Sequence, residues 1–521
     1  MDLKNISSIE SATIINRQEL FRLGTALLFI VGIMLFTYNS MDRNSGSMLL
    51  VIAAMIGGYM ALNIGANDVA NNVGPAVGSK AITLTGAILI AAIFEASGAL
   101  IAGGDVVGTI KKGIIDPSLI NDTDTFIWLM MAALLAAAIW LNIATYMGAP
   151  VSTTHSIVGG VLGAGIAAGG WAIADWNKVG LIAASWVISP VFGGIIAAGL
   201  LYIIKHSIIY RRDMVRAAKS WVPYLIALMA WAFATYLVLK GLKKLWKFDF
   251  LSASLIGFVI AVAIYLFVKP RIARSSARIE NTREGVNSLF TIPLIFAAAL
   301  LSFAHGANDV ANAVGPLAAI NDAITNGGIV SKAPIPLWVM LVGAIGISIG
   351  LALYGPKLIK TVGSEITELD QIRAFCVAMA AAVTVIIASQ LGLPVSSTHI
   401  AVGGIFGVGF LREFLEANHA RMIDDIVEHH QDDEPEVVEA FLKEFEAANI
   451  TEKGIMLKQL KQKKGPHLLK KERKQLKKVY HKELVKRSIL LKIAAAWVIT
   501  VPVAAVMAAL LYFTIRGMLL A

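Results

Sequence analysis

The chain has 521 residues, of which 57% are hydrophobic and only 15% are charged. With a mean hydropathy of +0.71, this composition excludes a soluble globular domain and indicates a membrane protein with many spans. The formal net charge of +10 does not predict a nucleic-acid partner, because residues 451–488 alone carry fourteen Lys or Arg against three Glu. A basic run beside a span marks the cytoplasmic side. The only cysteine, Cys376, excludes an intrachain disulfide and a Cys-based metal cluster.

Apolar runs long enough to cross a bilayer, about 20 residues at helical rise, recur along the whole chain. They lie at 20–38, 48–66, 86–104, 126–147, 150–170, 178–206, 221–240, 250–268, 289–307, 335–355, 371–391, 395–413 and 489–516. The runs at 150–170 and 395–413 are rich in Gly, Ser and Thr, which favours hairpins that enter the membrane and return. The first run lacks a small-residue cleavage site and predicts an uncleaved span. We therefore predict an all-α polytopic membrane protein.

Polar segments between the runs set the predicted orientation and domains. Basic loops at 205–219 and 269–283 belong in the cytoplasm. The segment 412–488 is acidic and then basic, with apolar residues at helical spacing, and predicts a cytoplasmic insertion that is either a solvated linker or a regulatory or dimer contact. The predicted domains are an additional N-terminal span (1–47), membrane repeat one (48–206), linking spans (207–288), membrane repeat two (289–411), the insertion (412–488) and a final span (489–521).

A polar motif ends two of the apolar runs. Gly-Ala-Asn-Asp-Val-Ala-Asn-Asn-Val-Gly-Pro at 65–75 recurs 241 residues later at 306–316, with one position changed. Polar groups at membrane depth are costly and are functional by default. One copy alone is explained equally well by a helix cap, but a duplicated pair favours function. On a helix the Asp and both outer Asn share a face, so the candidates are Asn67, Asp68, Asn71, Asn308, Asp309 and Asn312.

A second duplicated motif follows each Asn-Asp segment. Pro-Val-Ser-Thr-Thr-His occupies 150–155, and Pro-Val-Ser-Ser-Thr-His occupies 394–399. If the run at 150–170 counts as a crossing, counting spans from the basic loops brings the two halves in from opposite faces, the inverted-repeat plan of many secondary transporters. A returning hairpin at 150–170 would change this parity. A helix that starts at Pro, with hydroxyls and unbonded N–H groups at its positive end, can surround an oxyanion with donors. The candidate anion ligands are Ser152, Thr153, Thr154, Ser396, Ser397 and Thr398.

The motifs contain no fixed cation to balance an anion. The nearest basic residue, Lys80, corresponds to Asn321 in the second half. Alkali ions held by hard Asn and Asp oxygens can supply that charge. Cation binding at Asp68 and Asp309 then lowers the repulsion of an incoming anion and couples the two fluxes.

Three other polar residues keep more than one interpretation. His155 and His399 are either proton carriers or donors to a backbone carbonyl that order the loop. Glu95 lies in an apolar run and has no counterpart in the second half. It pairs with a donor elsewhere, lines a cation path or is protonated.

The doubled Gly-Ala-Asn-Asp-Val-Ala-Asn segment resembles the PiT family of inorganic phosphate transporters. The resemblance covers 48–206, 289–411 and the last span, and the motif is most similar to the sodium-coupled branch. It implies inverted repeats with hairpins, often in a dimer, and symport of phosphate with sodium or protons. It also implies a shared site, with phosphate at Asn67, Asp68, Ser152, Thr153, Thr154, Asn308, Asp309, Ser396, Ser397 and Thr398, and sodium at Asn67, Asp68, Asn71, Asn308, Asp309 and Asn312. The chain departs from the family in its additional first run and in the position of its large insertion.

The function predicted is that of a carrier in the cell membrane, not an enzyme, which imports inorganic phosphate with sodium by alternating access. Its expected partners are phosphate, sodium, membrane lipid and a second copy of the chain, with no cofactor and no nucleic acid. The alternatives are a proton-coupled phosphate carrier and a sulfate permease of the same architecture. An intramembrane hydrolase is disfavoured because the polar residues occupy duplicated, equivalent settings, and a channel because they do not ring a pore.

Overall fold

A computed structural model describes residues 3–40, 47–120, 122–241, 246, 248–328, 335–364, 369–428 and 487–519. This part of the chain is almost entirely helical, with one isolated bridge between Ile115 and Ala174. It contains twelve helical segments that are long and apolar enough to cross a membrane. The predicted all-α polytopic fold is confirmed. Residues 429–486, most of the predicted cytoplasmic insertion, lie outside the described residues.

The helices that the structure describes follow the predicted runs closely. In chain order they are α1 (Leu3–Ser40), α2 (Ser47–Asn67), α3 (Ala70–Gly78), α4 (Leu84–Ala102), α5 (Gly104–Lys112), α6 (Thr123–Met147), α7 (Thr153–Gly169), α8 (Trp176–Ile204), α9 (Met214–Gly241), α10 (Phe250–Ser276), α11 (Arg283–Ser288), α12 (Thr291–Asp309), α13 (Ala311–Asn326), α14 (Leu337–Ser364), α15 (Gln371–Gln390), α16 (Ser397–Glu428) and α17 (Arg487–Leu519). With 17 residues, α7 is roughly 26 Å long, which is short for a full span.

Two spans are broken in the middle, each at a repeated Asn-Asp pair. The first break separates α2 from α3 at Asp68 and Val69, and the second separates α12 from α13 at Val310. Val69 and Val310 keep helical dihedral angles, but the next N–H groups bond three residues back, from Asn71 to Asp68 and from Ala313 to Val310. An interruption of helical hydrogen bonding at membrane depth is tolerated only where protein or a water-filled cavity surrounds it. Both breaks satisfy this condition, since Asp68 and Asp309 are completely buried.

Two helical hairpins lie beside these breaks. In the first, α6 packs against α7, and in the second α15 packs against α16. Each turn contains a glycine in the left-handed region, Gly148 with φ +74° and Gly392 with φ +68°. Glycine adopts this conformation without the steric cost that a Cβ brings. Paired hairpins are present as predicted, but the runs at 150–170 and 395–413 are each a single helix that forms a second arm. The prediction that each run enters the membrane and returns by itself was wrong, because the turns lie before the runs.

Helices of the two halves pack against one another. α2 packs on α14 and α4 on α12, while the hairpin helix α7 packs on α17 and α16 packs on α8. Glycines allow these approaches, because a Cβ at Gly65 would overlap the carbonyl of Ile347 and a Cβ at Gly306 would overlap the carbonyl of Glu95. Each half thus completes the packing of the other. The inverted orientation of the repeats stays a prediction.

The additional N-terminal run also has a structural equivalent. α1 lies against α2 and α14, and α9 of the linking pair lies against α4 and α12. The two elements therefore cover corresponding faces of the two halves. This pairing was not apparent in the sequence, where the first run has no partner.

Candidate functional site

The carboxylates of the two Asn-Asp motifs meet at the centre of the protein. Asp68 and Asp309 each place an oxygen within 4.8 Å of the other and of a nitrogen of His305. All three side chains are buried. The residues that were predicted to share a site therefore converge, although 241 positions separate them in the chain.

Hydroxyl groups from both hairpins donate to Asp68. Thr153 Oγ1, from the first hairpin, lies 2.5 Å from Oδ2, and Thr398 Oγ1, from the second hairpin, lies 2.6 Å from Oδ1. Hydrogen bonds to a charged acceptor are about twice as strong as neutral ones. Asp68 therefore ties the first broken span to both hairpins.

Asp309 repeats this arrangement with the roles of the hairpins exchanged. Ser397 Oγ donates to Oδ2 over 2.8 Å, and Thr154 Oγ1 donates to Oδ1 over 3.2 Å. Thr154 also donates to the carbonyl of Val395 over 3.0 Å, so the starts of the two hairpin helices are in direct contact. The site thus has a local two-fold symmetry.

The second Asn of each motif contacts this centre through its amide nitrogen and has an unpartnered oxygen. Asn71 Nδ2 donates to Thr398 Oγ1 over 2.8 Å, and Asn312 Nδ2 donates to Thr153 Oγ1 over 3.0 Å. Among the described residues, neither Oδ1 has a hydrogen-bond partner, although both are buried. An unsatisfied buried acceptor costs about 1–3 kcal/mol. A cation ligated by these oxygens would remove that cost.

The first Asn of each motif holds a hairpin turn. Asn67 donates to Thr145 Oγ1 over 2.9 Å and accepts from the N–H of Val151 over 3.0 Å. Asn308 donates to Ser389 Oγ over 2.9 Å. Both ends of the Asn67 carboxamide are therefore engaged in positioning the turn, a role that the sequence did not indicate.

The first serine of each hairpin motif caps its helix. Ser152 Oγ accepts from the N–H of His155 over 3.1 Å, and Ser396 Oγ accepts from the N–H of His399 over 3.2 Å. The prediction that Pro begins these helices was wrong, because Pro150 lies two residues before the cap. The physical reason is that Ser satisfies an orphan N–H of the first turn, which Pro cannot do.

A buried polar chain breaks the symmetry of the site. His305 Nδ1 lies 2.7 Å from Glu95 Oε2, and Asn72 Nδ2 donates to Glu95 Oε1 over 2.7 Å. On its other side, His305 Nε2 lies 3.0 Å from Asp309 Oδ2 and 4.0 Å from Asp68 Oδ2, and it is not aligned for a hydrogen bond with either. Glu95, whose role the sequence left open, therefore pairs with donors from both halves.

The positions that correspond to Asn72, His305 and Glu95 in the opposite repeat all carry apolar residues. Ala313 stands at the place of Asn72 and Ile64 at the place of His305. Ile347 replaces Glu95, since its carbonyl meets Gly65 as that of Glu95 meets Gly306. The repeated motifs differ only at Asn72 and Ala313. This difference was the sequence signal that could have predicted the polar cluster of Asn72, Glu95 and His305.

The two motif histidines touch across the symmetry axis. The rings of His155 and His399 are 4.4 Å apart, edge to face, and each lies against an indole, Trp186 at 3.8 Å or Trp497 at 3.6 Å. No ring nitrogen of either histidine has a hydrogen-bond partner among the described residues. The backbone of Trp497 lies next to the His155 ring and that of Trp186 next to the His399 ring, so donation to a backbone carbonyl stays a prediction. A proton-carrying role stays a prediction.

Comparison with known proteins agrees with this architecture. The family model described as "Phosphate transporter family" matches residues 64–508. The chain belongs to the phosphate transporter family. It is accordingly an integral membrane transporter of that family and not an enzyme, and both predictions are confirmed.

Named relatives and one solved structure extend the comparison. A "Putative phosphate permease" of Helicobacter pylori is 53% identical over 525 residues, which cover 98% of each chain. A protein with the same description from Haemophilus influenzae is 40% identical over 380 residues, which cover 72% of this transporter and 90% of the relative. A solved structure, "The sodium-dependent phosphate transporter", is 32% identical with a TM-score of 0.74 and covers 91% of this chain and 100% of its own.

Proposed function

We propose that this transporter imports inorganic phosphate together with sodium, by alternating access to the central site. The observation that carries the proposal is the pair of buried carboxylates, Asp68 and Asp309, each bonded by hydroxyls from both hairpins. The similarity to a solved sodium-dependent phosphate transporter supports it. Two carboxylates repel an anion, so phosphate can enter only when cations accompany it.

Sodium has two equivalent sets of hard ligands in this site. One set is the carboxylate of Asp68 with the Oδ1 of Asn71, and the other is the carboxylate of Asp309 with the Oδ1 of Asn312. Carboxylate and amide oxygens suit a hard cation. Both Oδ1 atoms are buried and lack a protein partner, which supports cation binding at each. Asn67 and Asn308 contribute by fixing the hairpin turns.

Phosphate has donors at the facing starts of α7 and α16. The first intrahelical bonds join Ser156 N to Ser152 O and Ile400 N to Ser396 O, and the N–H groups of His155 and His399 donate to the capping serines. The N–H groups of the two residues before each histidine therefore have no intrahelical partner and can donate to an oxyanion. Once sodium neutralises the carboxylates, the hydroxyls that donate to them can turn toward phosphate. This exchange of partners is the proposed coupling between the two substrates.

Alternating access is possible because hydroxyls of both hairpins bond to each carboxylate. Opening the site on one side requires one hairpin to withdraw its hydroxyls while the other keeps its own. We propose that residues 48–206 and 289–411 are the two repeats that alternate, in the cell membrane and in a homodimer, with 412–488 in the cytoplasm. The basic loops at 205–219 and 269–283 support this orientation.

The proposal is tested with purified protein in liposomes and radiolabelled phosphate. Uptake is expected to be saturable, to require an inward sodium gradient and to disappear when that gradient is collapsed. Labelled sulfate should neither enter nor compete, because phosphate at neutral pH can donate a hydrogen bond to a carboxylate and sulfate cannot. Sulfate uptake without competition from phosphate would contradict the assigned substrate.

Proton coupling is a second candidate, favoured by one observation. The contacts from Glu95 through His305 to Asp309, at 2.7 and 3.0 Å, form a continuous chain of titratable side chains that ends in the site. Histidine and carboxylate chains of this kind conduct protons in many transporters. Uptake driven by an inward proton gradient in the absence of sodium would select this candidate over sodium symport.

A further inference from the structure

We infer that inorganic phosphate also binds without sodium, in a cavity between α1, α2, α6 and α14 that we call the vestibule. The inference rests on the proposed function for the identity of the anion. The vestibule has a volume of about 780 Å³, within the range of small-ligand sites. The lining residues that carry the inference are Glu19, Arg22, Tyr59, Asn63, Tyr354 and Lys357.

The vestibule runs from the surface of the protein to the edge of the central site. At its mouth lies Tyr146, which is 85% exposed. At its inner end lie Ala66 and Thr145, and Thr145 Oγ1 accepts the hydrogen bond of Asn67. Ala66 and Asn67 directly precede Asp68 in the chain, so the inner end of the vestibule is adjacent to the central site.

The charge in the vestibule suits an anion, in contrast to the central site. Arg22 and Lys357 are its basic residues, against the single carboxylate of Glu19, which lies 2.6 Å from Arg22. The Arg22 side chain is only 32% exposed, so its charge is screened less than that of a fully solvated residue. Arg binds phosphate through paired donors and Lys as a point charge. Because these cations belong to the protein, binding here needs no sodium.

A second cavity, beside α9 and α15 of the other half, has none of this chemistry. It lies between α8, α9, α10 and α15, has a volume of about 470 Å³ and contains no charged residue in its lining among the described residues. Ile386 occupies there the place that Asn142 occupies in the vestibule. Within the described part of the chain, this cavity lacks residues of α4 and α12, the counterparts of α14 and α2, so it is not the repeat-related copy of the vestibule. The α12 residues that correspond to Tyr59 and Asn63 are Leu300 and Ala304, so the polar lining of the vestibule is specific to the half that α1 covers.

The test uses the single-cysteine background of the chain. Cys376 is fully buried, so the variant Ala26→Cys places one accessible thiol on the vestibule wall. The alkylation rate by a charged maleimide is measured in lipid nanodiscs without sodium. Phosphate at ten times its dissociation constant is expected to slow alkylation about tenfold, since the free fraction falls as 1/(1 + [L]/Kd). Gluconate at equal ionic strength controls for screening.

Charge variants assign the protection to its residues. Arg22→Gln or Lys357→Gln in the Ala26→Cys background should reduce the protection to less than about twofold, as expected for loss of at least one decade in affinity. Arg17→Gln removes the same charge from the same helix outside the vestibule and should leave protection intact. Lys357→Arg should retain the protection. This result would show that Lys357→Gln acts through the lost charge and not through misfolding.

The outcomes also separate this inference from the proposed function. Protection that requires sodium, or that survives both Arg22→Gln and Lys357→Gln, would overturn the vestibule site even if liposomes take up phosphate. Sodium-independent protection with no sodium-driven uptake would support the vestibule and contradict the symport. Protection by phosphate alone in sodium-free nanodiscs, lost in the two vestibule variants, is the result expected.

Discussion

Replacing Asp68 by Asn tests whether the central carboxylates act through their charge. Asn has nearly the same shape and can still accept from Thr398, whose hydroxyl is 2.6 Å from Oδ1, so the packing is retained. A cation about 4 Å away loses about 4 kcal/mol of attraction at an effective dielectric constant of 20. This corresponds to about three decades in the sodium dissociation constant. Sodium-driven uptake should therefore fall to background.

The same substitution should affect phosphate in the opposite direction. The neutral side chain no longer repels an anion, so phosphate should bind to Asp68→Asn more tightly than to the native protein when sodium is absent. Two measurements check this: uptake of labelled phosphate as a function of sodium, and equilibrium binding of phosphate in sodium-free buffer in the Arg22→Gln background, which lacks the vestibule site.

Asp175→Asn provides the matched control for that pair of measurements. Asp175 caps α8 at the exposed surface, and Asn caps a helix equally well, so both curves should be unchanged. If Asp68→Asn weakens phosphate binding along with sodium dependence, the carboxylate maintains the shape of the site and the electrostatic explanation is wrong.

Three further predictions concern stability, measured by thermal unfolding in detergent. Glu95→Ile leaves Asn72 Nδ2 and His305 Nδ1 without their partner and should cost about 1–3 kcal/mol for each stranded group; Glu95→Gln, which keeps an acceptor oxygen, should cost less, and equal losses would contradict the assigned contacts. Gly65→Ala forces a methyl group into the carbonyl of Ile347 and should cost about 1–3 kcal/mol, whereas Gly24→Ala meets nothing within 4 Å and should be neutral. Burial raises the pKa of Asp370, but Arg373 and Arg283 lower it more, and the net pKa is below the ordinary value. Because the pKa of Asp370 is lower in the folded than in the unfolded protein, ionised Asp370 stabilises the fold above its unfolded pKa of about 3.9. This contribution is lost as the pH falls from there through the folded pKa. Asp370→Asn should therefore flatten the dependence of stability on pH below about 3.9.

Sequence reasoning located the spans and singled out the Asn-Asp and hydroxyl residues that the structure brings together, because both leave local signals. Hydropathy fixes a membrane helix within a single stretch of chain. The Gly, Ser and Thr content of 150–170 and 395–413 indicated hairpins, although the turns, at Gly148 and Gly392, lie before these runs. The duplicated Asp68 and Asp309 implied a shared site, since equivalent positions in two repeats are brought together by the axis that relates them. These inferences needed no knowledge of packing.

The parts that could not be predicted depend on contacts between distant segments. His305 meets Glu95 only because α12 packs on α4, which joins residues 210 positions apart. The turn-holding role of Asn67 likewise requires the position of α6 against α2. The vestibule depends on where α1 docks, and nothing in the sequence of that helix identifies its neighbours.

The sharing of hydroxyls between halves has a consequence for how such a protein can arise. Asp68 needs Thr398, and Asp309 needs Thr154, so a polypeptide with one repeat could assemble this constellation only by pairing with a copy of itself. Joining two copies in one gene removed the requirement that they stay identical. The difference between Asn72 and Ala313 is of the kind that this permits, because two identical chains would carry the same residue at both positions.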